Sequence, residues 1–412
     1  MDTNIIHTGD CFDVLPTLPD ESVHMVMTSP PYWNLRDYDH ADQLGLEPES
    51  EQYVQNMADV FDEVKRVLRP DGSLWLNLGD TYDDKDLQQI PARVALELQN
   101  RGWILRNRVT WAKPNPMPQS VKDRLNDTTE AVFHFVKERD YWYDLDAIRE
   151  PYSESMERRK DCQSEHGGHE KDGWGGGDHH EGGGLLDDSQ TYADTMHLAG
   201  KNPGDVFTVT TKPFPEAHFA VYPPELCEKP IKATCPPKVC AECGSPYERE
   251  PAEEIPVPEA NPKRPNARRA KELFDKHGLT DRHKDAIRAV GIHDEDYGDA
   301  QKMATTTPEG LAAEAKDALG PYFREYTITV TTDSEWRESC DCDTDATEAG
   351  IALDPFAGAG TTALVAKNHG RRFVGIDLNE EYVAMAQKRL GLTVDNPEHV
   401  RDDADAGLED FA

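Results

Sequence analysis

An α/β fold carried by a mostly parallel sheet is predicted by three observations on this 412-residue chain. Strand-length apolar runs alternate with stretches whose apolar residues recur at helical spacing, the pattern that lays helices against a parallel sheet. A turn with two glycines, at residues 354–362, separates an apolar run from a helical stretch. A second apolar run, Val23-His24-Met25-Val26-Met27, stops abruptly at Thr28-Ser29-Pro30-Pro31-Tyr32-Trp33.

In order along the chain, Ile5-Ile6 leads into Gly9-Asp10-Cys11, and residues 12–18 read as a short helix. Residues 23–27 are a buried strand. Residues 51–68 carry Tyr53, Met57, Val60, Phe61, Val64, Val67 and Leu68 at helical spacing. Pro70-Asp71-Gly72 is a turn, and residues 73–78 are the next strand. Residues 90–99 are helical, and 103–111 and 131–136 are further strands. A helix over 224–234 follows. Ile351-Ala352-Leu353 is a short strand, the glycine turn opens a helix running through Lys367, and residues 372–377 form a strand ending in Asp377.

The lip after the second strand suggests chemistry. Pro31 holds Pro30 extended, and each ring fixes its own φ. The Pro30 carbonyl and the Ser29 hydroxyl then stand as two acceptors beside an aromatic face. That set suits a flat ring bearing an exocyclic amine, with Tyr32 stacked on the ring. A plain Pro-Pro turn after a strand is the alternative. In the glycine turn, Gly358 and Gly360 permit a tight bend and close approach to a ligand. The helix beginning near Thr361 aims free N–H groups at it. Asp377, at the tip of the next strand, is placed to grip ribose hydroxyls. The spacing departs from the dinucleotide fingerprint Gly-x-Gly-x-x-Gly, since Ala363 fits its third position only loosely.

Ser29-Pro30-Pro31-Tyr32 resembles the catalytic motif of the amino-methylating DNA methyltransferases, (Asp/Asn/Ser)-Pro-Pro-(Tyr/Phe/Trp). Asp354-Pro355-Phe356-Ala357-Gly358-Ala359-Gly360-Thr361-Thr362 resembles the S-adenosylmethionine loop of the same enzymes. The resemblance implies a doubly wound, mostly parallel seven-stranded sheet in the permuted order, catalytic half first and cofactor half last. The chain ends would then lie between the second and third strands, with Asp10 at the tip of the third, approaching adenosine. Catalytic roles fall on Ser29, Pro30, Pro31 and Tyr32. Cofactor contacts fall on Asp10, Asp354, Pro355, Phe356, Gly358, Gly360, Thr361, Thr362 and Asp377. A base flipped out of double-stranded DNA would receive the methyl group directly. No cysteine stands in the Pro-Cys context of the ring-carbon enzymes.

Ser at the first motif position implies cytosine-N4 as acceptor, with adenine-N6 as the alternative. Leu78-Gly79-Asp80-Thr81-Tyr82, Trp111-Ala112-Lys113-Pro114-Asn115-Pro116-Met117-Pro118, Asn202-Pro203-Gly204-Asp205-Val206 and Pro213-Phe214-Pro215-Glu216-Ala217-His218-Phe219-Ala220 resemble the archaeal cytosine-N4 type II methylases that modify CTAG. One departure is Thr128-Thr129-Glu130, where relatives often have His before the Glu. A partner restriction endonuclease and a monomeric or homodimeric state are compatible with such an enzyme. Two rival classes are an RNA or protein-amine methyltransferase and a non-catalytic, zinc-containing DNA-binding protein. The permuted order argues against the first and the intact cofactor loop against the second.

These readings divide the chain into a catalytic half (1–150), a Gly/His/acid-rich segment (151–200), a connection and helix beside the cofactor (201–239), an inserted target-recognition region (240–342), a cofactor half (343–395) and an acidic tail (396–412). Residues 161–187 are too poor in apolar side chains to order themselves, and their histidines read as a solvated linker rather than a metal site. Cys240-Ala-Glu-Cys243 and Cys340-Asp-Cys342 supply four candidate thiolates for a structural zinc that would clamp the insertion. Unpaired thiols are the alternative.

Between residues 263 and 288 nine Lys or Arg face four acids, in a chain of net charge −35. Arg264, Arg268, Arg269 and Lys271, with Lys113, are candidate DNA contacts. A locally balanced helical surface is the other reading. Target recognition is expected to be shared with the loop around 113–128. The acidic surface suggests a molar-salt cytoplasm, where a Debye length of roughly 3 Å removes long-range repulsion from DNA. No apolar run reaches membrane-spanning length, and the N-terminus lacks signal-peptide character, so a cytosolic protein is expected.

Overall fold

The computed structural model describes residues 1–35, 43–152, 200–212, 221–250, 254–256, 265–290, 308–327, 329–331 and 335–392. Two compact units emerge: Met1–Ile148 with Asn202–Glu248 and Glu338–Ala412, and Arg149–Lys201 with Arg249–Arg337.

The first unit is built on one sheet of eight strands: β1 (Ile5–Thr8), β2 (Val23–Thr28), β3 (Leu68–Leu78), β4 (Ile104–Ala112), β5 (Thr129–Val136), β6 (Val206–Thr208), β7 (Ile351–Asp354) and β8 (Arg372–Asp377). Their order across the sheet is β1-β8-β7-β2-β3-β5-β4-β6. Only β5 runs antiparallel to its neighbours. The first strand lies parallel beside the last, Ile5 opposite Val374, which is the permuted doubly wound order. Every residue of β2 is buried, as a strand covered on both faces requires. Alternation sorts its side chains from Met25 onward, Met25 and Met27 into one core and Val26 into the other, which Val23, before the irregularity in the strand, also joins. The first core packs under helices Ser50–Val67 and Ile90–Asn100, the second under Pro224–Thr234, Thr361–Asn368 and Glu380–Leu390.

Two details differ from the sequence expectation. The sheet has an eighth strand, β6, which pairs parallel with β4 through Thr110, Trp111 and Ala112. It satisfies backbone groups that β4 would otherwise leave at an open edge, and it buries Phe207. The turn at Pro70-Asp71-Gly72 lies inside a continuous β3. Val23 pairs with Leu68 but Met25 with Ser73, so the extra residues bulge out. Glycine is required there because a Cβ on Gly72 would stand 2.6 Å from Leu68 Cδ1 and 2.9 Å from the His24 carbonyl.

The second unit has a core of its own. Helices Pro265–Lys276, Asp281–Val290 and Pro308–Leu319 enclose Ala270, Phe274, Ile287, Ala312, Leu319 and Tyr326. The rings of Phe274 and Tyr326 stack at 4.7 Å. Among the described residues no helix is long and apolar enough to cross a membrane.

Candidate active site

The carboxyl ends of β2, β3, β7 and β8, with β1 beside them, open into one cavity of about 270 Å³. Ser29, Pro30, Pro31 and Tyr32 line one side of it, and Pro355, Phe356, Gly358, Thr361 and Asp377 the other. The lip is held from below. The buried Tyr53 of helix Ser50–Val67 donates to the Pro31 carbonyl at 2.8 Å, and Trp33 Nε1 donates to the Glu47 carbonyl at 2.8 Å.

At the lip the structure assembles a polar cluster. Ser29 Oγ and the Tyr32 hydroxyl stand 3.1 Å apart, and the Tyr32 hydroxyl donates to Glu130 Oε2 at 2.7 Å. Asn77 Nδ2 reaches Ser29 Oγ (3.2 Å), the Tyr32 hydroxyl (2.8 Å) and Glu130 Oε2 (2.9 Å). Asn77 Oδ1 is buried with no hydrogen-bond partner. Lys113 pairs with the other Glu130 oxygen, and its ammonium lies 4.6 Å from the Trp111 ring centroid. Burial, then the nearby Glu130 carboxylate, pushes the Tyr32 phenol well above its usual range. The Tyr32 ring lies on Gly79, where a Cβ would come within 2.5 Å of Cε2.

At the glycine turn Asp377 organises the backbone. Its Oδ2 accepts from Gly358 N at 2.7 Å and its Oδ1 from Asn379 N at 2.9 Å. Burial pushes its carboxyl up to about 6, against those two backbone donors, which lower it. Gly358 has φ +50°, and a Cβ there would meet nothing within 4 Å, so the turn presents open backbone to the cavity. Gly360 has a different use: with φ +72° it starts helix Thr361–Asn368, and a Cβ would stand 2.9 Å from that of Ala386.

Asp354 and Thr362, like Gly360, do not face the cavity. The buried Asp354 carboxylate accepts from Thr28 Oγ1 (2.7 Å), Phe356 N (3.1 Å) and the Tyr222 hydroxyl (3.0 Å). Thr362 Oγ1 shares a 2.5 Å hydrogen bond with Tyr222 and donates to the Met27 carbonyl at 3.0 Å. These residues bolt the glycine turn to the end of β2. Asp10 lines the cavity, and its Oδ1 caps the following helical turn by accepting from Phe12 N at 2.8 Å.

Lys113, read from the sequence as a DNA contact, faces this cavity. Arg268, Arg269 and Lys271 lie exposed on helix Pro265–Lys276, with Arg269 paired to Glu272 at 2.9 Å. Arg264, the histidines of 161–187, and His218 and Phe219 fall outside the described residues. In the loop after β4, Arg124 covers the Tyr82 ring at 3.9 Å while Met117 and Leu125 are 84% and 89% exposed. Sequence reasoning missed Asn77, Glu130 and Tyr222. A polar residue inside the apolar run 74–78 was the one local signal for Asn77. Cys240, Cys243, Cys340 and Cys342 come together, their sulfurs all within 4.8 Å of one another, a set compatible with zinc.

A doubly wound sheet whose glycine turn and Ser-Pro-Pro-Tyr lip share one cavity defines an α/β protein of Rossmann-like architecture. The family model described as DNA methylase (N6_N4_Mtase) matches residues 23–240 and 345–388. The chain belongs to this N6/N4 DNA methylase family. It is 47% identical to the type II methyltransferase M.SfiI of Streptomyces fimbriatus over 174 residues, 38% of this chain and 41% of that protein, under half the relative's length. It is 37% identical to the type II methyltransferase M.XycI of Xanthomonas campestris pv. cyanopsidis over 258 residues, 56% of this chain and 72% of the relative. The solved PvuII cytosine-N4-specific DNA methyltransferase matches with TM-score 0.47 at 16% identity, over 93% of this chain and 85% of that one.

Proposed function

We propose that this chain is a site-specific type II DNA methyltransferase that moves a methyl group from S-adenosylmethionine to the N4 amine of a flipped cytosine. The observation that carries the reading is the acceptor cluster beside the lip. Ser29 Oγ, held by Asn77 Nδ2 at 3.2 Å, and Pro30 line the same cavity as Asp377. The Ser29 hydroxyl and the Pro30 carbonyl are two acceptors at the lip, and an exocyclic amine brings two N–H groups.

The residues around the glycine turn fit the cofactor. Gly358 offers open backbone, and the Asp377 carboxylate suits ribose hydroxyls. The bound cofactor would supply an electrophilic methyl carbon. The amine's lone pair is conjugated into its ring and is a poor nucleophile. Hydrogen bonds to Ser29 and to the Pro30 carbonyl would draw it toward tetrahedral geometry. The Glu130 carboxylate, one hydroxyl away from Ser29, offers negative charge to the positive charge that develops on transfer. The four-cysteine cluster has no part in this chemistry.

Nucleoside mass spectrometry on duplex DNA incubated with the protein and S-adenosylmethionine in molar KCl tests the proposal. N4-methylcytosine is the expected product, and sequencing that DNA reads the target, for which CTAG is expected. N6-methyladenine would overturn the base assignment. The absence of any methylated nucleoside from folded protein would overturn the reaction.

A further inference from the structure

Cys240 and Cys243 lie on a turn whose geometry is built by backbone bonds. Gly244 N donates to the Cys240 carbonyl and Cys240 N to the Ser245 carbonyl, each at 2.9 Å, and Gly244 takes φ +71°. The returning segment with Cys340 and Cys342 is tied to the outgoing one by contacts that flank the cysteine pair in sequence. The Tyr247 hydroxyl donates to Glu338 at 2.6 Å, Ser339 Oγ donates to the Pro246 carbonyl at 2.5 Å, and Cys240 pairs with Thr347 in a short antiparallel ladder. None of the four is in a disulfide. A tetrahedral zinc with Zn–S near 2.3 Å sets its sulfurs about 3.8 Å apart, so the present cluster needs to contract by about 1 Å at most.

Two side chains from the sheet grip this turn. His24, the second residue of β2, donates from Nε2 to the Gly244 carbonyl at 3.0 Å, since its Nδ1 accepts from Ile351 N at 3.1 Å. Arg69 Nη1 donates to the Cys243 carbonyl at 3.1 Å. The chain leaves this unit five residues after Cys243 and re-enters it two residues before Cys340.

We propose that Cys240, Cys243, Cys340 and Cys342 bind one structural zinc ion. The ion fastens the outgoing and returning passages of the chain to the amino-terminal end of the strand that carries Ser29. Four thiolates fill the coordination shell and leave no open position for a reacting ligand. His24 precedes Ser29 by five residues, about 16 Å along a strand at roughly 3.3 Å per residue, so the ion is remote from the lip. A tetrahedral four-sulfur set also accepts iron. Transfer of a methyl cation to an amine changes no oxidation state of the protein, so nothing at the site calls for a redox metal.

The test is elemental analysis of the full chain purified without chelator or immobilised metal, with one zinc per chain expected. Reconstitution with Co²⁺ should produce the intense visible bands of a tetrahedral tetrathiolate. Cys342→Ser should abolish zinc retention and lower the melting temperature, while Cys162→Ser leaves zinc content unchanged. S-adenosylmethionine binding by Cys342→Ser should persist, because the cofactor turn lies at the opposite ends of the strands. Stoichiometric iron, a disulfide among the four in non-reducing peptide mapping, or failure to take up zinc offered in excess would each overturn the assignment. If Cys342→Ser does not fold, the cobalt spectrum of the native chain decides it.

Discussion

On the proposed function Ser29 serves transfer and Asp377 cofactor binding, and substitution tests that division. Ser29→Ala is expected to slow methylation by about 10²–10³-fold, the usual cost of losing one transition-state hydrogen bond, with cofactor affinity nearly unchanged. Asp377→Ala is expected to weaken cofactor binding in a calorimetric titration. Equal losses of cofactor affinity in both variants would refute the division. The same proposal makes cofactor binding pH-dependent through Asp377. Its carboxyl is pushed up to about 6 by burial, and only the ionised form accepts hydroxyl hydrogens on both oxygens. Affinity for S-adenosylmethionine should therefore fall as pH drops through about 6, approaching about tenfold per unit below it, and Asp377→Asn should flatten that profile. The sign for stability is the reverse. A carboxyl raised above its usual range favours the folded, ligand-free chain at low pH, and this contribution is lost as pH rises through about 6. Ser29 and Asp377 stood out as candidates because one opens a contiguous motif and the other ends an apolar strand-length run. Asn77 and Glu130 were not, since the register that sets Asn77 opposite Val132 and Leu78 opposite Ala131 is a property of the assembled sheet.

At the scale of elements, the strand–lip and strand–turn–helix units do the positioning. The helix expected over 224–234 has those bounds in the structure, as Pro224–Thr234, and the strand expected over 372–377 is likewise present. Both have sharp ends written locally: Pro at the first turn of the helix, and Asp377 at the strand's tip. The three-residue β6 was not legible, because so short a run acquires its ladder only when β4 lies alongside. The join between β3 and the lip yields a further expectation. A methyl group on Gly79 would meet the Tyr32 ring at 2.5 and 2.7 Å. Gly79→Ala is therefore expected to displace Tyr32 and lower the methylation rate about tenfold or more, with S-adenosylmethionine affinity retained. Unchanged turnover would show that Tyr32 need not hold its present place.

Across the whole molecule, a net charge of −35 coexists with exposed Arg268, Arg269 and Lys271 on a helix of the second unit. Replacing all three by Glu is expected to weaken DNA binding by about tenfold or more at about 0.1 M KCl, measured by fluorescence anisotropy. The loss should shrink at about 1 M, where the Debye length is roughly 3 Å. Cofactor affinity should not change. A DNA affinity indifferent to these residues at both salt levels would return the helix to a solvated surface.

By itself the sequence determined the α/β class, the permuted order of its halves, the Ser-Pro-Pro-Tyr lip, the glycine turn and the four cysteines. Each is a short run whose backbone preferences, periodicity or side-chain chemistry act between near neighbours. Only the tertiary structure decided which polar groups converge on Ser29, that Asp354, Gly360 and Thr362 brace the turn from behind, and that His24 reaches the cysteine turn. Those contacts join residues as many as 335 positions apart, as between Thr362 and Met27. They arise from sheet register and helix packing, which no local stretch of chain encodes.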